Sequence, residues 1–138
     1  MFTHMRAAVV VLALVAVPAQ AGADVVLQWS ELAERVLPPA NPFVYSRVAA
    51  TAHLAMFEAV NAITRDHRPY LGTIRGRFSA SAEAAAIEAA YRVLIHFVPA
   101  GAPTLDPAYA DALGAIPDGP SKTDGIAVGA AAAAAMIA

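Results

Sequence analysis

Stepped at about 100° per residue, Val44, Val48, Ala52, Ala55, Ala59 and Ile63 fall on one side of a helix running from Asn41 to Thr64. Ala49, Met56, Phe57 and Val60 widen that side well past half the circumference, leaving a narrow polar seam of Arg47, Thr51, Glu58 and Asn61 in which Leu54 also falls. Asn41 suits the N-cap, since its side-chain oxygen can accept a free first-turn N–H, and Pro42 follows where its missing donor costs nothing. The pattern predicts a long helix enclosed by other elements, the one around which the chain is organised. A leucine at Ala52 or Ala59 should cost more than one at Glu58.

The flanking segments repeat the helical period. Asp24 can cap a first helix, VVLQWSELAERVL, with Val25, Trp29, Leu32 and Val36 inward, Glu31, Glu34 and Arg35 outward, and Pro38-Pro39 as its stop. Residues 65–79, RDHRPYLGTIRGRFS, form a connection with four arginines: either a basic anion-binding loop, or solvated arginines around Tyr70, Leu71 and Phe78 tucked onto the core. A third helix is predicted from Ala80 to Val98. Its inner face is Ala84, Ile87, Tyr91, Leu94, Ile95 and Val98, and its outer charged stripe is Glu88, Arg92 and His96. Pro99 to Thr104 breaks the chain. Asp106-Pro107 starts a short fourth helix with Tyr109, Leu113 and Ile116 on its face, ending at Pro117. Asp118-Gly119-Pro120 opens a fifth, whose inner line is Ile126, Ala130, Ala133 and Ile137. In it Gly125, Gly129 and Ala133 recur every fourth residue, a line of small side chains that lets another backbone come close. The class is all-α, a bundle of about five helices.

Before these elements, Arg6, the apolar run Ala7 to Val17 and the small-residue sites Ala19-Gln20-Ala21 and Ala21-Gly22-Ala23 stand in the order of a secretory signal peptide. Eleven apolar residues would reach about 16 Å, roughly half the hydrocarbon core, too short for an anchor. Residues 1–23 are therefore read as signal peptide and 24–138 as the exported chain, periplasmic or secreted. Without Arg6, eight basic residues face eleven acidic ones and neither sign clusters across the chain, so nucleic acid is not an expected partner. Cysteine is absent, which leaves no disulfides or thiolate metal sites in an oxidising compartment. About a quarter of the residues are alanine and 59% are apolar, as closely packed helices require. The run Ala130 to Ala138 has no glycine, asparagine or proline to end it. It reads as part of a larger α-helical domain, or as a frayed last helix.

Chemistry-bearing residues do not converge. His53 and Glu58 point about 140° apart on one helix, so they cannot share a metal without a neighbour's help, and His53 reads as a core histidine bonded to a carbonyl. His67 beside Asp66 is adjacency, not a dyad. No phosphate loop, H-E-x-x-H pair or G-x-S-x-G elbow occurs.

LQWSELAERV, VAATAHLAMFEAVNAI, RPYL, SAEAAAIEAAYRVL and IPDGPSKTDGIAVGAAAAAAMIA, in this order, resemble the N-terminal helical part of bacterial vanadium-dependent haloperoxidase-like proteins of the PAP2 phosphatase superfamily. The resemblance implies a secreted, all-helical enzyme that binds vanadate or phosphate in a helical bundle. The family's pattern is a lysine followed seven residues later by Arg-Pro, then Ser-Gly-His, then a late arginine and histidine. Here Lys122 is followed at that distance by Gly129, Arg68-Pro69 is preceded at that distance by Asn61, and no Ser-Gly-His occurs. No catalytic, cofactor-binding or metal residue carries over, and no cofactor is expected in this chain. Haloperoxidase or acid phosphatase activity would need a catalytic half. The expected reading is the N-terminal helical portion of such an enzyme, inactive alone, whose partner is the missing C-terminal helical half or a second copy. The competing reading is a non-catalytic secreted helical interaction module.

Overall fold

The computed structural model describes residues 21–38 and 41–138. The apolar run Ala7 to Val17, on which the signal-peptide assignment rests, lies outside the described residues. Among the described residues five α-helices follow one another: α1 (Ala21–Val36), α2 (Pro42–Thr64), α3 (Ala82–Phe97), α4 (Ala102–Gly114) and α5 (Pro120–Ile137). A 3₁₀ turn, Pro99–Gly101, runs directly into α4. The all-α class is correct.

The start of α2 is the one the sequence specifies. Asn41 Oδ1 accepts from the Val44 amide at 3.2 Å, and Pro42 opens the helix. Val48, Ala52, Ala55, Met56, Ala59 and Ile63 are buried as expected, whereas Val44, in the first turn, is 41% exposed.

The organising helix is α3, not α2. It packs against all four other helices, and residues 84 through 90 are buried without a break. Ser81 caps it by accepting the Ala84 amide, so it begins two residues after the predicted start. Enclosure overturns the predicted outer stripe: Glu88 is 1% exposed, while Arg92 and His96 do reach solvent.

Small residues make that enclosure possible. A Cβ at Gly125 would overlap the Ser81 carbonyl oxygen, and one at Gly129 would overlap that of Ala85 and lie 2.8 Å from Glu88 Cβ. The small-residue line is therefore the seam between α5 and α3, joined at its start by the Ser81 amide donating to the Ser121 carbonyl at 2.9 Å. The inner face of α5 turns accordingly. Gly125, Val128, Gly129, Ala132 and Ala133 are buried, whereas Ile126, Ala130 and Ile137, predicted inside, are half-buried.

Three further helix boundaries differ. α1 is already helical at Ala21, so Asp24 lies in its first turn rather than at its cap. α4 begins at Ala102 and carries Pro107 inside. The predicted break at residues 99–104 is instead the 3₁₀ turn and the first turn of α4, fixed to the core by the fully buried Leu105. Burial of that leucine outweighs the hydrogen bond that Pro107 cannot donate. At its other end α4 stops at Gly114, short of Pro117.

Candidate functional site

Glu58 and Asn61, read as a polar seam, are 1% and 5% exposed. They face the connection between α2 and α3. One Glu58 carboxylate oxygen, Oε1, accepts the backbone amides of Tyr70 and, at 3.1 Å, Leu71. Asn61 takes both polar groups of one residue: His67 N donates to Oδ1 at 2.9 Å, and Nδ2 donates to His67 O at 2.8 Å. Two turns of α2 thus hold the backbone of a segment that has no secondary structure of its own, which satisfies amides that would otherwise lie unpaired beside the core.

The next turn continues the arrangement. Arg65 ends α2 in the left-handed region, φ 60° and ψ 29°, a position that glycine or asparagine usually fills. Its guanidinium lies 4.1 Å from the centre of the Phe78 ring and donates to the Gly76 carbonyl at 3.3 Å. Arg75 donates to the Gly72 carbonyl at 3.0 Å. Beneath the segment is a cavity of about 410 Å³, lined by Glu58, Asn61, Arg65, His67, Ile74 and Arg75 among others. Of the two readings of this loop, the arginines are solvated, but Tyr70, Leu71 and Phe78 are not tucked onto the core. They are 66%, 37% and 69% exposed, and it is the backbone that is tucked.

A second polar cluster surrounds Glu88 between α3 and α4. Its carboxylate pairs with Arg92 Nε through one oxygen and accepts the Tyr109 hydroxyl through the other. Tyr109 stacks on Tyr91 with ring centres 4.1 Å apart, Tyr91 donates to Asp106 at 3.0 Å, and Trp29 of α1 meets the Tyr91 edge at 6.4 Å. Burial first, and then the bond to Glu88, hold the Tyr109 phenol well above its ordinary value of 10. Burial and Asp106 raise Tyr91 as well. Both Glu88 oxygens and both tyrosine hydroxyls are engaged within the group, so it joins helices rather than facing a substrate.

His53 is exposed, not a core histidine. Its Nε2 is 2.8 Å from Ser30 Oγ. That resembles a nucleophile and its base, but Ser30 gives its proton to the Val26 carbonyl at 2.6 Å, so Oγ accepts from the ring N–H. The imidazole cannot take a proton it is itself donating towards, and the contact is a tie between α1 and α2. His53 and Glu58 diverge as their spacing requires, one outside and one buried. His67 stacks on Phe57 with centres 6.2 Å apart. Lys122 bridges Asp118 at 2.8 Å and the Ile116 carbonyl at 3.1 Å, latching the turn between α4 and α5. Among the described residues no group of three His, Asp or Glu side chains could hold a metal ion.

No protein-family model, curated protein or solved structure matches the chain.

The buried carboxylates are what sequence reading missed. The available signal was their immediate setting: Glu58 stands between Phe57 and Ala59, and Glu88 inside Ala84 to Ala90, each with apolar residues directly on either side.

Proposed function

We propose that this chain is the N-terminal helical portion of an exported vanadium-dependent haloperoxidase or PAP2-like phosphatase, a scaffold that does not itself bind the oxyanion. One observation carries the reading: the stretches that resemble the family are contact partners in the fold. Glu58 of HLAMFEAVNAI holds the amides of Tyr70 and Leu71 in RPYL. Ser81, at the head of SAEAAAIEAAYRVL, bonds to Ser121 in IPDGPSKTDGIA.

Vanadate or phosphate does not fit the cationic residues present. Lys122 is committed to Asp118 and Ile116, while Gly129, where the family pattern calls for arginine, lies against Ala85 with no room for a side chain. Arg65 and Arg75 each donate to loop carbonyls. An oxyanion needs several fixed donors aimed at one point, so those donors belong to a further helical half.

Sequencing the genomic DNA past the Ala138 codon tests this. A continuing or frameshifted frame encoding Ser-Gly-His followed by a late arginine and histidine is the expected result. A stop codon followed by unrelated sequence would replace the scaffold with a secreted helical interaction module, a reading that the exposed Tyr70 and Phe78 favour.

A further inference from the structure

The connection between α2 and α3 carries a charge opposite to that of the rest of the molecule. Residues 65–79 hold four of the nine basic residues and one of the eleven acidic ones, leaving five basic and ten acidic residues elsewhere. Its Arg65, Arg68, Arg75 and Arg77 are all exposed, together with Tyr70, Leu71 and Phe78. Among the described residues, the Arg68 and Arg77 side chains enter no hydrogen bond or ion pair. The segment is also held in place. Glu58, Asn61 and Arg65, on successive turns of α2, fix its backbone at Tyr70 and Leu71, at His67 and at Gly76. Tyr70, Leu71 and Phe78 project into water because what docks there is the backbone, while Ile74 packs against the core.

We propose that this loop docks the protein peripherally on an anionic phospholipid surface, with the arginines among the headgroup phosphates and Tyr70, Leu71 and Phe78 at the boundary between headgroups and acyl chains. Charge complementarity selects the partner's sign, since a basic loop on an acidic body turns towards negative charge. The arrangement of side chains selects its kind. A protein interface gathers its apolar residues in a dry centre with charges at the rim, whereas here exposed apolar residues and arginines are interleaved along the segment, Tyr70 and Leu71 between Arg68 and Arg75 and Phe78 directly after Arg77. A lipid interface accepts both along its whole breadth: aromatic rings settle at headgroup depth and each nearby basic residue adds attraction. Arg65 stacked on Phe78 presents the two together.

Flotation of the full chain with phosphatidylcholine vesicles, with and without phosphatidylglycerol, tests the proposal. Binding is expected only with the anionic lipid and should weaken as salt rises. The double variant R68Q/R77Q should bind on the order of twentyfold more weakly, about fivefold per charge. It should keep the wild-type circular dichroism and melting, because neither side chain supports the fold. The control R35Q removes an exposed arginine on α1 and should stay within about twofold of wild type. The apolar N-terminal run is common to all these proteins, so differences between them report the loop alone. Equal binding by wild type and the double variant would overturn the proposal, as would an equal loss in R35Q. Binding to immobilised polyglutamate but not to vesicles would also overturn it, assigning the patch to an acidic protein.

Discussion

At Tyr109 a single hydroxyl decides how the molecule meets alkali. The phenol is half-buried and donates to Glu88, so the folded state favours its neutral form and binds its proton more tightly than the unfolded chain does. Below pH 10, the ordinary value, both states keep the proton and the contribution is intact. Above it the unfolded chain ionises first and holds fewer protons, so stability falls as pH rises. Phenolate absorbance should therefore show a late-rising component that Tyr109→Phe removes, and the variant's stability should decline less steeply in that range. At neutral pH the same variant should be weaker by about 1–3 kcal/mol, because one oxygen of a buried carboxylate loses its donor. An unchanged late component in the variant would place the shifted phenol elsewhere.

Among the elements, legibility followed the strength of local chemistry. The Asn41-Pro42 start and the apolar line of α2 could be read directly, since capping and a 3.6-residue period act within a few residues. So could the small-residue seam of α5, although not which helix would meet it. Whether a polar residue faces water or another element is settled by packing at long range, and there the reading of Glu58, Glu88 and Pro107 failed. The difference changes an expectation. The polar-seam pattern makes Glu58 the tolerant position on α2, and Ala52→Leu and Ala59→Leu should still cost about 1–3 kcal/mol each by overpacking. Glu58→Leu is no longer the mild one. It leaves the amides of Tyr70 and Leu71 without their acceptor while overfilling a site that is 1% exposed. Urea midpoints should fall for all three variants, but only Glu58→Leu should speed hydrogen exchange at Tyr70 and Leu71 and admit tryptic cleavage after Arg75. Unaltered exchange there would mean that the loop is held by something other than Glu58.

For the whole molecule, the question is what five packed helices can do to an oxyanion. Stabilising a five-coordinate vanadate or phosphate takes several donors preorganised around one centre, and loss of a single such donor can lower a rate by about 10²–10³. The cations described are not aimed at one centre and are mostly engaged: Lys122 at the α4–α5 turn, Arg92 on Glu88, Arg65 and Arg75 on loop carbonyls. Arg68 and Arg77 are open to solvent, where an anion can be held loosely but without orientation, and binding of that kind does not lower a barrier. Neither bromide oxidation with vanadate and peroxide nor phosphate-ester hydrolysis above background is therefore expected from the purified chain. Self-association is expected to run through the first turn of α2, because the rest of its apolar line is covered by α3 and α5 while Phe43 remains 86% exposed. Phe43→Ser should shift an oligomer towards monomer on gel filtration without lowering the melting temperature. Vanadate-dependent bromination that survives in the monomeric variant would require a site built from residues to which the fold gives other partners.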